Sequence, residues 1–375
     1  MLLTILTVFI SLENRMKSKL IFFLLTFIFV LNANAYSGQT EILFYLTPDR
    51  DNSTFSAERL SQIKNQAHHM NIVAPQIYRL DENGVISGTI DPNLLSVAKE
   101  NHLKIIPLIM NPDFNKEQFH LFLSNKIAQE TAISNMASLC KQYGFNGLQF
   151  DFENIDISDK DAFTNFYQAT AKQLHALNFS ISIAVVPRAQ DIALTDYEKW
   201  YFTNWSGVYD YQVLGENSDF MSVMSYDQHT NLTTPGPIAA IDWVEKTIQT
   251  LLTVVPANKI SLGVPDYSGY WSTGKLDPGG IPEKYTYRSK ERQISYSIVL
   301  DILKQANQST IWQEQWQSSY AMFSNRDKLE YLFIEDAHAF QAKLDLAKRY
   351  QLRGISVWKF GLEDPAIWEI LDTNI

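Results

Sequence analysis

Cysteine is almost absent from this chain. Cys140 is the one cysteine among 375 residues, so no internal disulfide can form, and a lone thiol of this kind suits a buried position on a helix. The fold must therefore depend on its core. With 46% hydrophobic and 13% aromatic residues and no low-complexity tract, the chain is long enough for one large domain or two small ones.

Basic charge is also scarce. Lysine and arginine together number 31 against 41 aspartate and glutamate residues, which gives a net charge of −10, and the sequence contains no basic cluster. An acidic chain of this kind is poorly suited to bind nucleic acid or anionic lipid, because both carry the same sign of charge as the protein. We therefore predict no nucleic-acid partner.

Signatures of metal and cofactor binding are missing as well. The seven histidines are scattered, and only His68 and His69 are adjacent, so no spacing typical of zinc ligands occurs. The sequence has no phosphate-binding loop, no dinucleotide-binding fingerprint and no G-x-S-x-G nucleophile elbow. We predict neither a metal nor an organic cofactor.

The first 35 residues have the organisation of an export signal. Met16–Lys19 is a short basic region, Leu20–Leu31 is an apolar stretch, and Ala33-Asn-Ala35 is a small-x-small cleavage site. A stretch of twelve residues is short for a bilayer span. We expect cleavage after Ala35, which would leave residues 36–375 secreted, or in the periplasm or cell envelope of a bacterium, and free of the membrane. An uncleaved anchor is the alternative.

Residues 1–15 precede this signal and need a separate explanation. Met1–Ile10 is a second apolar run, which Glu13 and Arg15 separate from the better signal. An initiation site assigned too far upstream, with Met16 as the true initiator, explains this arrangement best. A membrane anchor made from both apolar runs is the alternative. Removal of residues 1–35 would change the net charge to −12.

Short β-rich runs alternate with amphipathic helical stretches from residue 41 to the C-terminus. This alternation implies a parallel sheet, and eight repeats favour closure into a (β/α)8 barrel. The predicted strands are Glu41–Leu46, Asn71–Pro75, Lys104–Met110, Gly147–Asp151, Ser180–Val186, Phe220–Tyr226, Lys259–Val264 and Gly354–Trp358. The predicted helices are Ser56–His68, Pro92–Asn101, Gln129–Tyr143, Asp161–Leu177, Tyr209–Glu216, Ile241–Val255, Ile334–Tyr350 and Pro365–Leu371.

Two segments interrupt the alternation. Ile77–Gly88 carries Asn83-Gly84 between alternating apolar residues, which predicts a hairpin at the barrel rim. The second segment, residues 267–332, is too long for an ordinary loop between strands seven and eight. Its Gly/Pro-rich stretch Asp277–Pro282, helical stretch Tyr296–Ala306 and two strand-like pieces (Ser319–Ser324 and Lys328–Phe333) predict a small α+β insertion over the active-site face. We otherwise expect one domain and a monomer.

The most informative segment of the chain is Phe145–Glu153, Phe-Asn-Gly-Leu-Gln-Phe-Asp-Phe-Glu. In a strand, Gln149, Asp151 and Glu153 share one face, and the face behind them is apolar. In a barrel this polar face points inward, and its last carboxylates reach the mouth, where barrel enzymes keep their chemistry. Burial and a neighbouring like charge keep one carboxyl of such a pair protonated, so that it can act as a general acid. Two solvated carboxylates at a strand end are the alternative.

Three further motifs fall at predicted strand ends. Met224-Ser-Tyr226-Asp227 ends strand six, Trp358 ends strand eight, and Tyr267 follows strand seven. Taken singly, methionine, tyrosine and tryptophan at such positions usually pack in a core, and Tyr267 could equally line a groove or anchor the insertion. Gln228 and His229, which follow Asp227, are additional cleft candidates.

The strand-four segment resembles the D-G-x-D-x-D-x-E signature of glycoside hydrolase family 18, and most closely the bacterial branch of spore-cortex and peptidoglycan N-acetylglucosaminidases. The resemblance extends from about residue 41 to the C-terminus and implies a catalytic barrel over residues 36–375. It implies that Glu153 is the general acid/base and that Asp151 orients the substrate acetamido group. Asn146 and Gln149 stand where the signature has aspartates, and because an amide cannot accept a proton, a proton relay down the strand is in doubt.

The remaining motifs also match this family. The resemblance implies that Tyr226 donates a hydrogen bond to the acetamido oxygen, that Asp227 binds a sugar hydroxyl or stabilises charge, and that Trp358 forms the floor of the central sugar site. Met224, Gln149 and Tyr267 complete the predicted substrate-binding set. The implied activity is substrate-assisted, retaining hydrolysis of a β-linked N-acetylglucosamine polymer. Peptidoglycan is the first expectation, chitin or its oligosaccharides the second, and a non-catalytic sugar-binding lectin the third.

Overall fold

The computed structural model describes residues 40–49, 54–189, 195–230, 233–272, 294–325 and 328–374. The predicted export signal and the stretch Asp277–Pro282 lie outside these ranges. Within them, no helix is both long enough and apolar enough to cross a membrane.

The strands form a barrel and a second, smaller sheet. Eight parallel strands follow one another around the barrel, and the first pairs with the second to close it. The barrel strands are β1 (Glu41–Leu46), β2 (Ile72–Leu80), the split third strand β4 (Lys104–Ile105) and β5 (Leu108–Met110), β6 (Gly147–Asp151), β7 (Ser180–Val185), β8 (Phe220–Val223), β9 (Ile260–Pro265) and β14 (Gly354–Trp358). The remaining strands are β3 (Ile86–Ser87), β10 (Gly269–Ser272), β11 (Ile311–Gln313), β12 (Ser318–Asn325) and β13 (Lys328–Ile334). This closed barrel confirms the predicted fold class.

Three of the predicted strands differ clearly from those in the structure. The third strand is split because Pro107, which has no N–H to donate, interrupts its ladder. Strand β8 stops at Val223 instead of Tyr226, since the chain turns there and the N–H of Ser225 donates to the carbonyl of Val223. Strand β2 is longer than predicted, because it continues into the predicted hairpin and pairs with β3 in antiparallel fashion.

Helices surround the barrel. They are α1 (Ala57–Gln66), α2 (Pro92–Glu100), α3 (Lys116–Ser124), α4 (Lys126–Tyr143), α5 (Lys160–Ala176), α6 (Asp196–Tyr201), α7 (Tyr211–Asn217), α8 (Ile241–Leu252), α9 (Tyr296–Ala306), α10 (Ala337–Arg349) and α11 (Ile367–Asn374). The predictions missed α3 and α6. Helix α3 runs almost directly into α4, and Asn125 between them caps α4 by accepting a hydrogen bond from the N–H of Ala128.

The main core lies between the barrel strands and the helices. On β6, Phe150 packs against Phe166 and Tyr167 of α5, with ring centroids 5.8 and 5.2 Å away. Cys140 on α4 is fully buried, as its sequence context predicts. The outward face of β6 therefore packs against helix α5. The polar face of β6 consequently points into the barrel.

The segment between the seventh and eighth barrel strands forms the predicted α+β insertion. Its four-stranded antiparallel sheet has the order β10–β13–β12–β11, and helix α9 packs on it through Val299 and Leu303. A second apolar cluster, which includes Trp271 and Phe333, packs against Tyr226 and Trp358. The insertion therefore lies beside the mouth of the barrel.

A buried ion pair stands where the insertion rejoins the barrel. Nζ of Lys343 lies 2.6 Å from Oε2 of Glu335, and at most 2% of either side chain is exposed. Burial raises the pKa of Glu335 to about 7, although Lys343 opposes this shift.

Lys343→Met would leave the carboxylate buried without its cation. We expect the free energy of unfolding to fall by about 3 kcal/mol at pH 8 and by less at pH 5, where the carboxyl group is protonated. Urea denaturation at both pH values measures this, and an equal loss at both would contradict it.

Candidate active site

Residues in or just after seven of the eight barrel strands surround a cavity of about 230 Å³. It is lined by six of the eight predicted site residues, together with Tyr45, Gln76, Leu108, Phe114 and Ala184 from other strands and loops. The six are Asp151, Glu153, Met224, Tyr226, Asp227 and Trp358. We call this cavity the Trp358 lobe. The structure therefore brings together residues that are up to 207 positions apart in the sequence.

Glu153 follows β6 and is fixed through its backbone. Its N–H donates to Oδ1 of Asn111 at 3.0 Å, and its carbonyl accepts from Nδ2 of Asn111 at 2.9 Å. Asn111 is fully buried and directly follows the third barrel strand. The predictions missed this residue, although its position at the carboxyl end of a barrel strand was a usable signal. The paired hydrogen bonds hold the Glu153 backbone at a fixed place on the mouth.

The two carboxyl groups of β6 are electrostatically unequal. Burial, together with the negative charges of Asp151 and Asp227, raises the pKa of Glu153 to about 8. Burial raises the pKa of Asp151 to about 6, against the opposing hydrogen bond from Nε2 of Gln76 at 3.1 Å. The pKa of Glu153 is therefore raised more than that of Asp151, which favours a proton on Glu153 beside an ionised Asp151. This is the division into an acid and a charged neighbour that acid catalysis needs.

Gln149 lies beneath Asp151 in the barrel interior. Its Oε1 accepts from the hydroxyl of Tyr45 at 2.7 Å, and its Nε2 donates to Ser182 and Ser222, each at 3.1 Å. The network continues from Ser222 to Ser356 at 2.9 Å. Because no part of Gln149 is exposed, a ligand in the Trp358 lobe does not reach it. Any effect of this predicted substrate-binding residue on affinity would pass through its neighbours.

Tyr226 and Asp227 reach the mouth on the turn after β8. Burial raises the pKa of Tyr226 well above its usual value, and the nearby carboxylates add to the shift, so its hydroxyl stays protonated and can donate a hydrogen bond. Asp227 has a φ of 58°, in the left-handed region that aspartate tolerates better than most residues.

Tyr267 orients Asp227 from behind. Its hydroxyl donates to Oδ1 of Asp227 at 2.6 Å, and its ring is fully buried in the cluster with Trp271 and Phe333. Of the two roles that the sequence allows, the structure favours anchoring the insertion over lining the groove. Gln228 is one of the additional cleft candidates. Its side-chain Oε1 accepts a hydrogen bond from the N–H of Ala240, which stabilises the loop that follows Asp227.

Trp358 forms the remaining wall of its lobe. The indole is partly exposed, and its ring lies 5.4 Å from that of Tyr45, at an interplanar angle of 56°. A partly exposed indole beside a protonated carboxyl presents a flat apolar surface, which suits the apolar face of a sugar ring.

A second cavity, also of about 230 Å³, adjoins the first. The two share Glu153, Met224, Tyr226 and Asp227. Four aromatic residues line the second cavity and not the first, and we call the second cavity the aromatic lobe. They are Tyr197, Trp200, Tyr201 and Trp205. Glu153 therefore stands at the boundary between a lobe walled by Trp358 and a lobe lined by these four rings.

The predictions missed the aromatic lobe together with helix α6. This helix begins with a capping box between Thr195 and Glu198 and continues into a π-helical turn, Phe202–Ser206. The four aromatic residues stand at positions i, i+3, i+4 and i+8, a helical spacing that was a usable signal. Tyr197 and Trp200 remain 48% and 42% exposed, and their rings stack with centroids 6.0 Å apart. Large apolar rings exposed beside a cleft are typical of a binding surface.

Comparison with known proteins identifies the family of this chain. Residues 78–363 match the sequence model of the family described as glycosyl hydrolases family 18. The cortical fragment-lytic enzyme of Bacillus subtilis is 27% identical over 332 residues, which cover 87% of this chain and 72% of that protein. The glycosylase YvbX of the same organism is 25% identical over 308 residues, or 81% of this chain and 84% of that protein.

Solved structures show the same fold. The spore cortex-lytic enzyme SleL of Bacillus megaterium superposes with a TM-score of 0.77 at 24% identity, covering 91% of this chain and 75% of that one. A chitinase from Chromobacterium violaceum gives a TM-score of 0.75 at 22% identity, covering 89% of this chain and 98% of that one. Because the family match covers more than half of the sequence, this chain belongs to family 18 of the glycosyl hydrolases and is a glycosidase.

Proposed function

We propose that this glycosidase hydrolyses a β-linked N-acetylglucosamine polymer, peptidoglycan in the first place, by substrate-assisted catalysis. The observation that carries the proposal is the unequal carboxyl pair. Glu153 has its pKa raised to about 8, while Asp151 behind it has its pKa raised only to about 6. If one sugar occupied each lobe, the glycosidic oxygen that joins them would lie beside the protonated acid at the boundary.

The proposed reaction assigns one role to each group. The acetamido oxygen of the sugar in the Trp358 lobe attacks its own anomeric carbon while Glu153 gives its proton to the leaving glycosidic oxygen. Asp151 and the hydroxyl of Tyr226 hold the acetamido group and stabilise the positive oxazolinium-like intermediate. Glu153, now ionised, takes a proton from water as the water attacks the anomeric carbon. Two displacements at the same carbon give net retention of configuration.

The choice of polymer depends on two lines of support. The strand-four segment most closely resembles the spore-cortex and peptidoglycan branch of the family, and two similar proteins are named for lysis of spore cortex or its fragments. The likeness to a chitinase fold supports chitin as the second candidate. We also propose that the protein is exported, because residues 1–35 have the organisation of a signal peptide. A peptidoglycan substrate is consistent with that location.

The aromatic lobe would bind the sugar on the leaving-group side of Glu153. Trp200→Ala removes a partly exposed ring that forms part of this lobe. We expect KM to rise about fivefold for glycans long enough to occupy both lobes, with kcat changed less. Trp312→Ala is the matched control, since Trp312 stacks on His338 of α10 and does not line the cleft. An unchanged KM would show that the aromatic lobe does not bind the substrate.

The proposal is tested by product analysis. Purified peptidoglycan and chito-oligosaccharides are each incubated with residues 36–375 and with its Glu153→Gln variant, and new reducing ends are identified by mass spectrometry. New N-acetylglucosamine ends made by the wild type alone would support the proposal, and the polymer that is cut identifies the substrate. If neither polymer is cut and both proteins bind sugar equally, the proposal fails in favour of a sugar-binding role.

A further inference from the structure

A third cavity extends the cleft beyond the aromatic lobe. It has a volume of about 350 Å³ and shares Pro187, Tyr197, Tyr201 and Asp227 with the aromatic lobe. Glu153 lines the first two lobes but not this one. The three lobes therefore follow one another, and the third lies further out on the leaving-group side of the acid.

Two cations face this third lobe, which we call the basic lobe. Arg188 follows β7, and Lys246 lies on α8 and is exposed. Within the described ranges, neither has a carboxylate at ion-pair distance. In the part of the chain that the structure describes, no carboxylate neutralises either charge.

Among the described residues, the contacts that hold Arg188 in place are made with uncharged groups. Its guanidinium lies 4.0 Å from the ring centroid of Tyr211, and Nη2 donates to the carbonyl of Tyr209 at 3.4 Å. A stacked guanidinium loses little conformational freedom when it binds an anion, because it is already ordered.

The carboxylates of the basic lobe already have partners. Asp227 accepts a hydrogen bond from the hydroxyl of Tyr267 at 2.6 Å. Glu198 accepts one from the backbone N–H of Thr195 at 2.7 Å, within the cap of α6. These neutral donors fix the positions of the two carboxylates without cancelling their charges, so Arg188 and Lys246 are the two groups of the lobe that can attract an anion.

We infer that the basic lobe binds a carboxylate carried by a substituent of the leaving-group sugar, and that this contact selects peptidoglycan over chitin. The inference rests on the proposed function. Peptidoglycan carries on alternate sugars a lactyl ether that ends in a carboxylate or in a peptide with further carboxylates, and chitin has no such group. A sugar in the aromatic lobe would place its substituent beside Arg188 and Lys246.

The test compares substrates that differ only in charge. Soluble peptidoglycan fragments are used as isolated, and after carbodiimide coupling to ethanolamine has turned their carboxylates into neutral amides. We expect the wild type to cleave the charged form with the higher kcat/KM, mainly through a lower KM, and to lose this preference in high salt, which screens exposed charges. Lys246→Glu is expected to lower the ratio of kcat/KM for charged over neutral fragments about tenfold.

Lys141→Glu is the matched control. It changes the net charge by the same amount, and Lys141 is exposed on α4, away from the three lobes. Arg188 is left intact because its substitution would also disturb packing against Tyr211. Equal melting temperatures for the variants exclude unfolding as the cause of any change.

The outcomes separate this inference from the proposed function. If the wild type cleaves both forms and the ratio is the same in Lys246→Glu, the carboxylate contact is wrong while the glycosidase proposal stands. If the wild type cleaves neither form of the fragments, peptidoglycan is not the substrate, and the inference fails with that part of the proposal.

Discussion

Glu153→Gln is expected to lower kcat about 10³-fold or more on any glycan that the wild type cleaves. The glutamine amide keeps the size of the side chain but can neither give a proton to the leaving oxygen nor take one from water, and each of these steps depends on the acid. Because Asn111 holds residue 153 through its backbone, the substituted side chain should keep its place. KM should therefore change little.

Steady-state kinetics on soluble fragments measures this loss. Glu130→Gln, at an exposed position on α4, is the matched control and should retain full activity. A kcat for Glu153→Gln within tenfold of the wild type would show that another group supplies the proton.

The same variant is expected to be more stable than the wild type above neutral pH. When folding raises the pKa of a carboxyl group, the free energy of unfolding decreases as the pH rises from the pKa of the unfolded state to the pKa of the folded state. For Glu153 this interval extends from about 4.5 to about 8. Glutamine does not titrate, so we expect the melting temperature of the variant to exceed that of the wild type by about 5 °C at pH 8 and to match it at pH 4. Calorimetry at the two values measures the difference, and a variant less stable at pH 8 would contradict the raised pKa.

Asp151→Asn is expected to lower kcat about 10²-fold and to move the pH optimum to more acidic values. Its carboxylate would stabilise the positive intermediate and, in the resting enzyme, helps to raise the pKa of Glu153. The wild type should give a bell-shaped profile with limbs near 6 and 8, which belong to the coupled pair. Without the Asp151 charge, the pKa of Glu153 falls, so the basic limb shifts to lower pH.

The profile of kcat/KM against pH, recorded for both proteins, measures this shift. Asp301→Asn, at an exposed position on α9, is the control and should leave both limbs in place. A basic limb that stays fixed or moves to higher pH in Asp151→Asn would show that the two carboxyl groups are not coupled.

The barrel and its strand β6 could be predicted because their signals are local. Strand β6 has the bounds predicted from the alternation of Gln149 and Asp151 with Leu148 and Phe150. The inserted helix α9 also has its predicted bounds, Tyr296–Ala306. In both segments the hydrophobic period is unbroken, and the burial of one face follows from that period.

The supports of the site could not be predicted in the same way, since they depend on contacts between distant residues. Asn111 and Glu153 are 42 positions apart, Tyr45 and Gln149 are 104 apart, and Tyr267 and Asp227 are 40 apart. Nothing in the local sequence specifies these pairs. The buried amide of Gln149 illustrates the point, because its partners come from three other strands.

The anomeric configuration of the first product tests the central claim most directly. Proton NMR, recorded within minutes of adding enzyme to a β-linked N-acetylglucosamine oligomer that it cleaves, distinguishes the two anomers before mutarotation mixes them. Substrate-assisted catalysis with Glu153 as acid and then base predicts that the β-anomer forms first. An α-anomer as the first product would mean a single direct displacement by water and would contradict the roles assigned here to Glu153, Asp151 and Tyr226.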